Sequence, residues 1–354
     1  MIFKKFDGIY STEREQTADL LKGFAVLMMI QVHLMELFAK PEITQSLLGK
    51  ISLFLGGPPA APIFMAVMGY FLAKSRRNFP QNFKRGLALI AGGIILNIGL
   101  NFHLLILIYL GKIRVDPFRY IFGADILPLA GLSIILISGI KRISKNNFYA
   151  NSIVSILLII FILILQSASV DFKIDNQILI FVQAFLWGEL DWSYFPFLPW
   201  AIYPLVGFLF RTITEHFSIN NSFRNVVALI SGIITFTTIK YGINIASELN
   251  AYYHHDWIYA LWIFQFMILF TYGLHKIQIF YGKSSFLIHI KWLGKNVTSV
   301  YVFQWLIIGN TATLIYKTQS MVELLIWFIA VLILTTISAY YFEKYGNSQK
   351  IPAS

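Results

Sequence analysis

The chain has 354 residues, 57% of them hydrophobic and 13% charged, with a formal net charge of +11. Soluble domains carry about 25% charged residues, so a chain with a mean hydropathy of +0.67 has too few charges to cover a water-facing surface. It contains no cysteine, which excludes disulfides, thiol chemistry and thiolate metal sites.

Ten apolar segments are long enough to cross a bilayer: 20–38, 51–73, 84–102, 121–140, 150–168, 196–213, 225–245, 257–275, 297–314 and 321–342. The expected fold class is therefore all-α, a polytopic membrane protein of about ten transmembrane helices. Residues 103–111 extend the third segment into a long, tilted or bent helix. Residues 177–190 are apolar but short and end in acids, which reads as a re-entrant or interfacial segment. No cleavage site for a signal peptide follows the polar leader, so the first helix is expected to stay.

Lys and Arg divide 20 to 8 between the two sides that this topology defines. The richer side is cytoplasmic by the positive-inside rule, placing both termini inside. That bias also accounts for the net positive charge without a nucleic-acid partner. No polar linker exceeds about 20 residues, so residues 1–354 read as one membrane domain with a cytoplasmic leader (1–19) and tail (343–354). No cluster has metal-ligand spacing. The bilayer is one expected partner, and the oligomeric state is left open.

The first helix, ADLLKGFAVLMMIQVHLMELF, carries Asp19, Lys22, Val26, Met29, His33 and Glu36 on one stripe. Lys22 and His33 are separated by about 16 Å of helix rise. Ionisable groups inside a membrane are costly and face cavities or partners. Lys22 alone is explained by snorkelling, and His33 alone by helix packing. Their alignment with Asp19 and Glu36 is not explained that way. Glu36, one turn from His33, is placed to accept its ring N–H and raise the basicity of the other nitrogen.

The second segment opens with GGPPAAP. Pro58, Pro59 and Pro62 break the backbone ladder, which at membrane depth is tolerated where the chain lines a cavity or is buried in protein. A basic cluster follows: Arg76, Arg77, Lys84 and Arg85, with Lys74 beside it. It suits a phosphate-rich donor, although orientation alone also explains it. Asp125 stands at the outer entrance of the fourth segment. FPFLPWAIYPLVG combines prolines with aromatics. Tyr301 and Gln304 lie three apart on one face and, with Asp125, are candidate substrate-binding residues.

The run RxxxxDLLKGxAVLMMxxxH (Arg14, Asp19, Lys22, Gly23, His33) resembles the first helix of the transmembrane acyltransferase superfamily. At its histidine it is similar to the sugar O-acetyltransferase (acyltransferase 3) family. GGPPAAPIFMAVMGYFLAKS, FPFLPWAIYPLVG and LGKNVTSVYVFQWL resemble the heparan-alpha-glucosaminide N-acetyltransferase branch. Two features depart from these patterns. Lys22 stands where the superfamily usually has arginine, keeping the charge but losing the bidentate fork. The loop 39–50 lacks the histidine of the heparan-type branch.

The resemblance implies transfer of an acyl group, expected to be acetyl, from cytoplasmic acyl-CoA to a sugar hydroxyl or amine of an extracytoplasmic glycan or glycolipid. The location it implies is the cytoplasmic membrane of a bacterium. In that reading His33 is general base or nucleophile, Glu36 orients the ring, Lys22 meets donor phosphates, and Asp19 holds Lys22. Acetyl-CoA is the donor substrate and no metal takes part. The alternative is a transporter or channel using the same stripe as a proton relay.

Overall fold

The computed structural model describes residues 3–4, 11–169, 172 and 174–348. The rest of the leader and residues 349–354 of the tail lie outside the described residues. In chain order the helices are α1 (Ser11–Leu37), α2 (Pro41–Gln45), α3 (Leu47–Gly56), α4 (Ala61–Lys74), α5 (Phe79–Leu100), α6 (Phe102–Tyr109) and α7 (Pro117–Ile121). They continue with α8 (Ile126–Ile143), α9 (Phe148–Ser169), α10 (Leu179–Leu186), α11 (Phe197–Trp200), α12 (Ile202–His216), α13 (Asn221–Thr237) and α14 (Ile239–Ser247). The last are α15 (Leu249–Tyr253), α16 (Trp257–Tyr281), α17 (Ser285–Lys295), α18 (Val297–Ile315) and α19 (Met321–Ser348). Phe3–Lys4 pairs antiparallel with Ser218–Ile219. The chain is thus an all-α polytopic membrane protein.

Among the described residues nine helical spans are long and apolar enough to cross a membrane. The pair α13 and α14, bent by 65°, makes a tenth when taken together as one broken span. The bend has a local cause: the Thr237 hydroxyl donates to the Ile233 carbonyl at 2.8 Å and that of Thr238 to Ile234 at 2.6 Å. Such back-bonding competes with the helical ladder and bends helices. Residues 103–111 do not prolong one straight helix. The chain kinks at Asn101, and α6 continues beyond it. α10 has eight residues, about 12 Å of rise, too short to span. It packs against Ala124 and Trp192 instead.

Glycine sets one packing distance that matters for the site. A Cβ on Gly23 of α1 would meet the Ile290 carbonyl oxygen at 2.0 Å, and one on Gly294 would meet that of Asp19 at 1.9 Å. Glycine at both positions therefore lets α17 lie directly against the first helix, beside Asp19 and Lys22.

Candidate active site

The loop between α3 and α4 is broken by Pro58 and Pro59, and Gly56 and Gly57 there form part of a cavity wall. His33, Glu36 and Met29 of α1 line the same cavity. Their common stripe on the first helix is what turns them together. Val26, one turn further toward the basic end, is fully buried.

Three distant segments complete the wall. Asp125 caps α8, its Oδ1 accepting from the Ile126 amide at 2.6 Å. It reaches this depth because α5 holds the preceding strand of chain: the Asn97 side-chain amide donates to Gly123 at 2.9 Å and to Ile121 at 3.2 Å. Tyr301 of α18 donates from its hydroxyl to Asp125 Oδ2 at 2.6 Å. Phe195 is fixed by its backbone N–H, which donates to the Ala124 carbonyl at 2.7 Å. Tyr252 and Tyr253 arrive from α15.

The α15 segment is itself pinned by the proline and aromatic patch. Trp200 Nε1 donates to the Tyr253 carbonyl at 2.7 Å. His255 Nδ1 lies 2.8 Å from the Tyr252 carbonyl and Nε2 lies 2.7 Å from the Tyr203 hydroxyl. A carbonyl only accepts, so Nδ1 carries the proton and Nε2 accepts from Tyr203. Burial lowers the His255 pKa to about 4, keeping this bridge neutral. Burial, with Glu36 nearby, pushes the Tyr253 hydroxyl well above the usual phenol range, so it remains a donor.

The structure thus brings His33, Glu36, Asp125 and Tyr301 into one cavity. Two carboxyl groups lie within it, and no Lys or Arg is in its lining. One expected contact is corrected. No hydrogen bond joins Glu36 to His33 among the described residues; the partner of Glu36 is the Tyr253 hydroxyl, at a long 3.5 Å. The ring of His33 is held by stacking on Trp305, with centroids 3.9 Å apart and planes at 28°. Its Nδ1 is buried without a hydrogen-bond partner among the described residues. A packing interaction, which sequence spacing does not reveal, replaces the expected carboxylate.

Gln304 also departs from expectation. It is fully buried, but it is not among the residues lining the cavity that Tyr301 and Asp125 share. A three-residue step does not by itself decide this, since His33 and Glu36 are also three apart and both line the cavity; the packing of α18 leaves Tyr301 on the cavity and Gln304 off it.

Lys22 is likewise outside the cavity. It pairs with Asp19 at 2.9 Å and lies over the Phe71 ring at 5.1 Å. The side chain of Arg14 lies outside the described residues. Arg76, Arg77, Lys84 and Arg85 are exposed and make no ion pair among the described residues. Lys141 closes the end of α4 by donating to the carbonyls of Leu72, Ala73 and Ser75 at 3.2, 3.1 and 2.7 Å. Arg211 is bound to Tyr70 and Glu215 at 2.9 and 2.7 Å. These two cations are spent on structure, whereas Arg76 and Arg77 of the α4–α5 connection and Lys84 and Arg85 of the first turns of α5 are exposed.

The bundle therefore has a basic end around Lys22 and residues 74–85, where the expected loop is a short connection and α5 already begins at Phe79, and a far end with a carboxylate, tyrosine and imidazole cavity. A family model described as an acyltransferase domain matches residues 16–344. No curated protein and no solved structure matches the chain. The matched span takes in both ends of the bundle and every residue of the cavity, and the chain belongs to the acyltransferase 3 family of membrane acyltransferases.

Proposed function

We propose that the protein moves an acyl group, acetyl being the expected one, from acyl-CoA held at the basic end to a sugar hydroxyl or amine of a glycan or glycolipid entering at the far end. The observation that carries this reading is the single cavity that contains His33, Glu36, Asp125 and Tyr301. The family match favours transfer over transport. The Lys/Arg count supports a cytoplasmic basic end, the side on which acyl-CoA is available, and in this reading the membrane is the cytoplasmic membrane of a bacterium. Residues 1–354 act as one domain in this reading.

The donor's phosphates meet Lys22, Arg76, Arg77, Lys84 and Arg85, with Asp19 holding Lys22 in place. An extended pantetheine arm has roughly thirteen bonds from pyrophosphate to sulfur, about 15 Å. Lys22 and His33 are separated by about 16 Å of helix rise, so the arm's length suits the distance. As general base, His33 takes the acceptor's proton while its oxygen or nitrogen attacks the thioester carbonyl; the C–S bond breaks and the CoA thiolate leaves. As nucleophile, His33 first forms an acyl-imidazole, which the acceptor then cleaves. Asp125, Tyr301 and Tyr253 offer hydrogen bonds to acceptor hydroxyls. The aromatic walls suit the apolar faces of a sugar ring. The heparan-type resemblance contributes no acceptor to this reading, because the loop 39–50 has no histidine.

The test is turnover of folded His33→Gln and Lys22→Arg beside wild type, with labelled acetyl-CoA. His33→Gln should lose about 10² to 10⁴ in rate. Lys22→Arg should retain activity, because an equal charge still reaches a phosphate, and Lys22→Ala should not. Normal turnover by His33→Gln refutes the assignment.

A further inference from the structure

Gln304 is left over once the cavity is assigned. Its side chain is 0% exposed, and neither Nε2 nor Oε1 has a hydrogen-bond partner among the described residues. A carboxamide buried in this way costs more than one hydrogen bond returns. Orphaned groups of this kind call for a water or a ligand.

Its place in the fold indicates which. α18 runs from the basic end at Val297 to the far end at Ile315, where the chain meets the end of α1: the Lys317 N–H donates to the Leu37 carbonyl at 2.9 Å. Within one turn, Tyr301 lines the cavity and Trp305 stacks on His33. Gln304 occupies the same layer without lining the cavity. A thioester delivered to His33 from the basic end has to bring its arm through this layer. The arm's second amide lies about 4 Å, three to four bonds, from the sulfur.

We infer that Gln304 binds the pantetheine amide nearer the sulfur, through reciprocal N–H···O=C hydrogen bonds, and so fixes the depth of the thioester beside His33. A primary carboxamide both donates and accepts, as a secondary amide does. The pair is neutral, which suits the apolar surroundings better than a charged residue would. This inference rests on the donor reading above.

The test compares two probes on purified full-length protein: coenzyme A, and adenosine 3′,5′-bisphosphate, which lacks the arm. Gln304→Leu should weaken coenzyme A binding about tenfold, leave bisphosphate binding unchanged, and raise the thermal midpoint of the ligand-free protein, because the orphaned amide is gone. Gln304→Met, of similar length, should behave alike if the leucine variant folds poorly. Equal coenzyme A affinity in wild type and both variants overturns the inference while leaving the donor reading intact. So does an equal loss for both probes. A lower thermal midpoint with unchanged coenzyme A binding assigns Gln304 to a structural water instead. If wild type binds neither probe, the donor reading itself fails.

Discussion

The Tyr301–Asp125 contact makes the sharpest energetic claim about the cavity. Tyr301→Phe removes only an oxygen, from a residue 5% exposed whose hydroxyl lies 2.6 Å from Asp125 Oδ2. Asp125 then keeps one donor, the Ile126 amide at 2.6 Å. A hydrogen bond to a charged group contributes about 1.5–3 kcal/mol, and one between neutral groups about 0.5–1.5 kcal/mol. Asp125→Asn retains an acceptor for the helix cap, so its own cost should be small. Asp125→Ala also loses the cap, adding about 0.5–2 kcal/mol. In a double-mutant cycle of Tyr301→Phe with Asp125→Ala, the coupling should therefore be about 1.5–3 kcal/mol if the carboxyl is ionised in the folded protein, and about half that if it is protonated. Reversible unfolding in mixed detergent and lipid measures it. Additivity within about 0.5 kcal/mol would show that the two side chains do not share a hydrogen bond and would undo the geometry assigned to the acceptor wall.

Replacing Arg76, Arg77, Lys84 and Arg85 together by alanine should raise the KM for acyl-CoA and leave the acceptor KM unchanged; steady-state kinetics with each substrate varied decides it, and an unmoved donor KM returns the cluster to setting orientation. In this cysteine-free chain, Pro80→Cys should react with a membrane-impermeant maleimide only from the cytoplasm, whereas Tyr109→Cys, at a side chain 90% exposed near the other end, should react from outside. External labelling at position 80 reverses the topology. His254 and His255 both have their pKa lowered to about 4 by burial. Each stays neutral when folded but binds a proton near pH 6.5 when unfolded, so their contribution to stability is complete above about 6.5 and is lost as pH falls toward 4. His255→Phe should flatten the acid side of a stability–pH curve, and an unchanged curve would remove His255 from that effect.

Much of this protein is legible in its sequence because hydropathy and helical period are local properties. A lipid-facing helix needs a run of apolar residues, and that run is visible whatever it packs against, so the expected spans and the observed ones agree closely, including the short segment at 177–190. The face of α1 that carries His33 and Glu36 follows from 3.6 residues per turn alone. The prolines at 58, 59 and 62 marked a break whose freed backbone groups need a cavity or surrounding protein; that Gly56 and Gly57 wall the same cavity as His33 is visible only in the structure.

What closes the cavity lies 90 to 270 residues further along the chain, and no local pattern encodes it. Asp125 reaches Tyr301 because Asn97 pulls the 121–123 segment inward, and Tyr253 reaches Glu36 because Trp200 and Tyr203 pin the 252–255 segment. The ring of His33 is oriented by Trp305, from a helix whose sequence drew notice for Tyr301 and Gln304 but not for this tryptophan. Spacing placed Gln304 with Tyr301, and packing decided which of the two opened onto the cavity. The sequence by itself determined the membrane-spanning helices and the stripe of chemistry on the first of them, because both depend on neighbours within one helix. Which distant side chains meet that stripe was decided by tertiary packing, because hydrogen bonds and ring stacking depend on distances in space that the chain's own order does not record.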